Sequence, residues 1–128
     1  MPVISVGVDI CEIKRLSDIG EKYKNKFLHK IFTPVEIDYC EKKYNKYASY
    51  AARFAAKEAF LKAIGTGLRN GLKWKEIEIQ NDDLGKPFYT FTGKVAQLIS
   101  KHEVHLSLSH TEKDAIAFVI IEGESNKQ

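Results

Sequence analysis

Asp9 and Glu58 are two acids far apart in a chain of 128 residues, with no soft ligand beside them. Such a pair suits a hard cation such as Mg²⁺, which keeps several waters and usually shares phosphate oxygens. Lys62 stands one helical turn beyond Glu58 and could neutralise a phosphate on the same ion. Arg53, five residues before Glu58, points about 140° away around a helix, so it would serve a different part of a large anionic ligand. Ser109, His110 and Thr111 offer short donors apt for phosphate. Each feature also has a plain reading. Glu58 and Lys62 at i, i+4 spell an ordinary ion pair of about 0.2–0.5 kcal/mol. An acid on a first strand commonly sits at an edge or caps a helix, and a Ser-x-Ser-His run commonly shoulders a hairpin. No Walker-type glycine loop, Cys-x-x-Cys pair or catalytic-triad spacing competes.

The element that must position Glu58, Lys62 and Arg53 is the run from Ala48 to Ala63, rich in alanine and other good helix formers. Gly65-Thr66-Gly67 should end it with a left-handed cap. This helix is apolar or small nearly all round, as buried helices are. It nevertheless carries Arg53, Lys57, Glu58 and Lys62, and buried charge is costly unless paired or liganded. Asp9 needs a strand. Ile4, Val6, Val8 and Ile10 alternate with Ser5, Gly7 and Asp9, which places the acid on the polar face beside a glycine that permits close approach.

The remaining elements follow from spacing. Short helices are expected within Cys11–Gly20 and over Asn25–Ile31. Thr33-Pro34-Val35-Glu36 is a capping box that starts a third helix, running to about Lys43. Tyr44–Tyr47 should connect to the central helix. Trp74, Ile77 and Ile79 mark a strand, Asn81–Gly85 a loop, and Pro87–Thr92 a second strand. Lys94–Lys101 reads as a helix with Val95, Leu98 and Ile99 inward. Val104, Leu106 and Leu108 alternate toward the His110–Asp114 turn, and Ala115–Ile121 suits a central strand. The expected class is α+β: an antiparallel sheet packed on the long central helix. Residues 1–122 should form one domain and 123–128 a frayed polar tail.

Composition narrows the function classes. At 44% hydrophobic and 29% charged residues, the chain has the balance of a soluble globular protein. No apolar run is long enough for a membrane span, and a net charge of +3 is too small to argue for nucleic acid. Cys11 and Cys40 make no disulfide framework, so a cytoplasmic location with structural thiols is expected. The positive charge is uneven, with Lys14, Arg15, Lys22, Lys24, Lys26 and Lys30 crowded into one early stretch.

Four ordered segments carry a resemblance. Gly7-Val8-Asp9-Ile10-Cys11-Glu12-Ile13-Lys14-Arg15 resembles the opening motif of the bacterial holo-acyl-carrier-protein synthases. The run Arg53–Ala63 followed by Gly65-Thr66-Gly67 is similar to their most diagnostic motif. Leu84-Gly85-Lys86-Pro87 and Ser107-Leu108-Ser109-His110-Thr111 resemble the third and fourth, so the likeness spans about Val3 to Ile121.

The resemblance implies a phosphopantetheinyl transferase fold and an enzyme that moves 4′-phosphopantetheine from coenzyme A to a serine of apo-acyl carrier protein. On that basis Asp9 and Glu58 hold Mg²⁺, and Lys62 contacts the pyrophosphate. Arg53 and His110 grip the 3′-phosphate, with Ser109 and Thr111 beside them. The resemblance further implies a homotrimer with sites shared between subunits. Acyl carrier proteins are acidic, so Arg15, Lys14, Lys22 and Lys26, with Lys24 and Lys30, would seat them. Phe27, Leu28, Ile31 and Phe32 would add an apolar patch. Two other functions fit the residues: a metal-dependent hydrolase of coenzyme A or a related nucleotide, and a non-catalytic module that binds acidic proteins.

Overall fold

Alanine at four successive contact positions lets one helix lie close against a sheet, and that contact organises the protein. In the computed structural model, which describes residues 2–23 and 25–123, the order is β1 (Val3–Glu12), α1 (Ile13–Tyr23), α2 (Asn25–Ile31), α3 (Pro34–Glu41) and α4 (Lys46–Ile64). Then follow β2 (Ile77–Asn81), β3 (Pro87–Phe91), α5 (Gly93–Leu98), β4 (His102–His110) and β5 (Asp114–Gly123). An antiparallel sheet has the strand order β1-β5-β4, and β2 with β3 forms a separate antiparallel hairpin. The apolar run at Ala115–Ile121 is thus the central strand, as its sequence suggested. Ala51, Ala55, Ala59 and Ala63 of α4 are all buried at the core.

Local chemistry sets the ends of the elements. Asn45 caps α4 with Oδ1 accepting from the Ala48 N–H at 3.4 Å, so the helix begins within the segment expected to be a connection. Gly65 closes it at φ 79°, its N–H donating to the Leu61 carbonyl. The Thr33–Glu36 capping box is formed in both directions. Trp74 does not join a strand. Trp74–Glu76 is a 3₁₀ turn that lays the indole 5.5 Å from the Phe54 ring, and the strand starts at Ile77. In α5, Val95 and the following Ile99 point inward, but Leu98 is exposed. β5 runs through Gly123, one residue past the expected domain edge, and the expected tail over 124–128 lies outside the described residues, as does Lys24.

The face of β1 that packs on α4 is the small and polar one. Gly7 is buried, and a side chain there would overlap the Ala59 carbonyl. Ser5 donates to the Ala63 carbonyl at 2.5 Å. The apolar residues of the alternation, Val6, Val8 and Ile10, face outward beside Phe118 of β5. A period of two assigns residues to two faces without saying which is covered. Here the tight approach of α4 needs glycine and alanine, and the larger side chains go to the other side.

Candidate active site

The inward face of β1 delivers Asp9 to the helix. Ser5 meets Ala63 and Gly7 meets Ala59, so the next inward residue arrives beside Glu58 and Lys62. Lys62 Nζ donates to Asp9 Oδ1 at 2.8 Å and to the Val8 carbonyl at 3.3 Å. The i, i+4 ion pair with Glu58 is therefore not the one that forms; Lys62 crosses to the strand instead. Hydrogen bonding to Asp9 raises the Lys62 pKa, so its ammonium stays charged.

Glu58 takes no part in that pairing. It is half-buried, and among the described residues its carboxylate has no hydrogen bond and no ion pair. Burial raises its pKa, and the Asp9 carboxylate raises it further against the opposing pull of Lys62 and Arg15. A carboxylate whose ionisation is made costlier by a neighbouring carboxylate is relieved by a cation placed between the two. The donors are oxygen only. Cys11, on the same inward face, is buried, and its pKa is pushed up to about 11, so it remains a neutral thiol. This set fits a hard divalent ion better than a soft one. Cys40, raised to about 12 by burial, is equally inert.

Glu58 and Arg53 line separate grooves along α4. One, of about 560 Å³, is lined by Glu58, Leu61, Lys62, Gly65, Gly67, Leu68 and Trp74. The other, of about 430 Å³, is lined by Arg53, Ser109 and His110 among others. The two share no lining residue, as the angular separation of Arg53 from Glu58 demands. Arg53 is only 3% exposed, stacked 4.0 Å from the Tyr39 ring centroid, with Nη2 donating to Asn81 Oδ1 at 2.6 Å. Thr111 lies at the turn rather than in the groove. Its hydroxyl oxygen accepts from the N–H groups of Lys113 and Asp114 at 3.2 and 3.1 Å, which fixes the loop after His110.

The early basic stretch divides. Arg15 lies near the site, with its guanidinium 5.9 Å from the Phe54 ring centroid and its charge felt at Glu58. Lys14 is tied to Asp18 at 2.8 Å on the exposed surface of α1, and Lys22, Lys26 and Lys30 are exposed. The expected apolar docking patch is corrected. Ile31 is 4% exposed, Leu28 and Phe32 are likewise buried, and only Phe27 keeps some surface. The helix-period stripe of α2 was a core face, because α2 needs it to cover the Phe54–Trp74 side of α4.

One charged residue had no assigned role in the sequence. Lys57 is fully buried and pairs with Glu36 Oε1 at 2.8 Å, while also donating to the carbonyls of Trp74 and Ile77. Glu36 is the capping-box acid of α3. Its Oε1 also accepts from Thr33 N, and its Oε2 from Ile79 N, at 2.9 Å each. The only signal in the sequence was a lysine on a helix apolar all round.

The sequence pattern of the 4′-phosphopantetheinyl transferase superfamily matches residues 5–119. The chain is similar to the holo-[acyl-carrier-protein] synthase of Koribacter versatilis, 44% identical over 123 residues, covering 94% of this chain and 98% of that protein. It is 45% identical over 124 residues to the Syntrophus aciditrophicus protein of the same name, covering 94% and 97%. Among solved structures it superposes on the Neisseria meningitidis holo-[acyl-carrier-protein] synthase with a TM-score of 0.85 at 35% identity, covering 94% of this chain and 99% of that one. The Helicobacter pylori synthase in complex with coenzyme A gives 0.82 at 31% identity, covering 91% and 99%. With its antiparallel sheet on a long central helix and an acid from each at their junction, the chain belongs to the 4′-phosphopantetheinyl transferase superfamily.

Proposed function

We propose that this chain transfers 4′-phosphopantetheine from coenzyme A to a serine hydroxyl of an apo-acyl carrier protein. The observation that carries this reading is Glu58: a half-buried carboxylate without a protein partner among the described residues, beside an Asp9 that has drawn Lys62 to itself. Asp9 and Glu58 would hold Mg²⁺. When bound, the ion would offset the charge of the coenzyme A pyrophosphate. Lys62 is mostly exposed and within reach of the same groove, so it can turn from Asp9 to a phosphate oxygen. A new bond forms from the carrier serine oxygen to the phosphorus bearing the pantetheine arm. The bond to the departing phosphate breaks, adenosine 3′,5′-bisphosphate takes the electron pair, and the serine proton passes to water. The nucleophile belongs to the partner, so the protein's work is positioning and charge compensation. Inert Cys11 and Cys40 agree with that division of labour.

The second groove would take the other end of the donor, with Arg53 and His110 on the 3′-phosphate and Ser109 and Thr111 nearby. One chain presents its two grooves on different flanks of α4. A homotrimer would let the Glu58 groove of one copy meet the Arg53 groove of its neighbour. The outward apolar face supports this assembly: Val6, Val8, Ile10 and Phe118 are 55%, 52%, 62% and 42% exposed in the single chain. Such a patch on one sheet face is an expected protein interface. Arg15, Lys22 and Lys26, with Lys14, would seat the acidic carrier, in a cytoplasmic setting that keeps both thiols reduced.

The test is incubation with coenzyme A, Mg²⁺ and several apo-carrier proteins, read by mass spectrometry of the carrier. A gain of one phosphopantetheine group is expected. No gain on any carrier overturns the reading, and bisphosphate release without carrier would instead identify a hydrolase. Light scattering should report three copies, with Phe118→Asp shifting the mass toward one; a monomeric native protein overturns the trimer.

A further inference from the structure

We propose that Asn81 is a positioning residue that presets Arg53 and thereby makes the second groove selective for a donor carrying a phosphate monoester at that end. The proposal rests on the reading of Arg53 given above. Arg53 is nine-tenths buried and more, yet lines the groove, and its Nε has no hydrogen-bond partner among the described residues. A buried guanidinium with an uncommitted N–H is short of one acceptor, and its charge favours an anion in the groove it lines.

What holds it in that state is a neutral group. Arg53 Nη2 donates to Asn81 Oδ1 at 2.6 Å, and the Asn81 Nδ2 donates to the Gly85 carbonyl at 2.9 Å. A guanidinium only donates and a carbonyl only accepts, so the amide can point one way alone. Gly85 in turn sits in a braced turn. It adopts φ +89°, its N–H donates to the Asp82 carbonyl, and Asp82 Oδ1 accepts from the N–H groups of Leu84 and Lys86 at 2.9 Å each. Thus the Leu84–Pro87 segment, which had no chemical role of its own, becomes the anchor of an arginine on a different element.

Arg53 is stacked on Tyr39 on one side and tethered by Asn81 on the other. A long side chain so held loses its rotamer freedom before the ligand arrives, which lowers the cost of binding. An aspartate at position 81 would keep the acceptor for Arg53 but neutralise the guanidinium and lose the donor to the Gly85 carbonyl, so the amide matters as much as the acceptor.

The experiment is calorimetric binding of coenzyme A and of 3′-dephospho-coenzyme A to the wild-type protein, Arg53→Ala, Asn81→Ala, Asn81→Asp and the Arg53→Ala/Asn81→Ala double variant, each checked for native circular dichroism. Asn81→Ala should weaken coenzyme A roughly three- to tenfold, leave the dephospho form unchanged, and add nothing to the loss already caused by Arg53→Ala. Asn81→Asp, which keeps the acceptor for Arg53 but not the donor to Gly85, should weaken coenzyme A at least as much. An equal loss for both ligands, or a loss that multiplies that of Arg53→Ala, overturns the positioning role. If Arg53→Ala itself does not distinguish the two ligands, the fault lies in the Arg53 reading, and the Asn81 proposal falls with it.

Discussion

Lys57 and Glu58 are neighbours on one helix, and their surroundings could hardly differ more. Lys57 is fully buried, and its ammonium is taken up by the Glu36 carboxylate and two carbonyls. Burial pulls its pKa down while Glu36 pulls it back. Glu36 is satisfied in turn by two backbone N–H groups. Glu58 is less buried, yet its carboxylate is desolvated without receiving any protein partner among the described residues, and its pKa rises. A charge whose every valence is met by the protein has nothing to offer a ligand. A charge taken partly out of water and left unmatched is poised to bind one.

Breaking the satisfied side should have the largest effect. Lys57→Met leaves Glu36 buried without its counter-charge, and loss of one member of such a pair costs about 3–5 kcal/mol. Denaturant unfolding should show that loss, while the folded fraction keeps its specific activity. A change below about 1 kcal/mol would mean the pair is not the anchor described here.

Glu58→Gln tests the other side, with the opposite signature. Transfer activity should fall by about 10²–10³-fold, the scale of losing one charge-stabilising group. Stability should not fall with it. The folded pKa of Glu58 lies above its unfolded value, so the native state binds more protons between the two. Wild-type stability is therefore lost as pH rises through that window, and glutamine escapes the loss. At neutral pH the variant should melt at the wild-type temperature or slightly above, with the difference vanishing below the ordinary glutamate range. Mg²⁺ should raise the melting temperature of the wild type only. A clear drop in stability at neutral pH would turn Glu58 into an ordinary structural ion.

The same contrast explains what could be read in the sequence. The central helix, its glycine cap, the Thr33–Glu36 box and the central strand were legible because each is written in neighbouring residues. Asp9, Glu58 and Lys62 were legible as a group through their motif order, and the structure gathers them at one junction. Pairing was not legible. Lys62 chooses Asp9, 53 positions away, over Glu58 on the next turn, and Lys57 finds an acid whose sequence role was only a cap. Nor was it visible that Ile31 faces the core, since a helical stripe looks alike whether a partner or the chain itself covers it.

The junction can also be opened mechanically. At Gly7 an added Cβ would overlap the Ala59 carbonyl and come within 3.0 Å of the Ala63 nitrogen, and helix backbone cannot swing aside as a side chain does. Gly7→Ala should therefore lift β1 from α4 at about 1–3 kcal/mol, the usual cost of overpacking. Because Asp9 rides on that strand two residues later, activity should fall more than the stability loss alone explains. Unchanged activity at saturating Mg²⁺ would show that Asp9 need not sit against Glu58.

The smallest effect is expected where charge is neither satisfied nor desolvated. Lys22 and Lys26 are exposed on the early helices, with no ion pair among the described residues. Screened surface charges of this kind add little to stability and act mainly on encounter with an oppositely charged partner. Replacing both with glutamine should leave the melting temperature and the turnover at saturating carrier unchanged. The association rate with an acidic carrier should drop a few-fold at low ionic strength, and the gap should close as salt rises past physiological levels. Lys14→Gln should do less, because Asp18 already takes up its charge at 2.8 Å. A loss that persists at high salt would instead mean that these lysines make fixed contacts, moving them from the steering class toward the Lys57 end of the comparison.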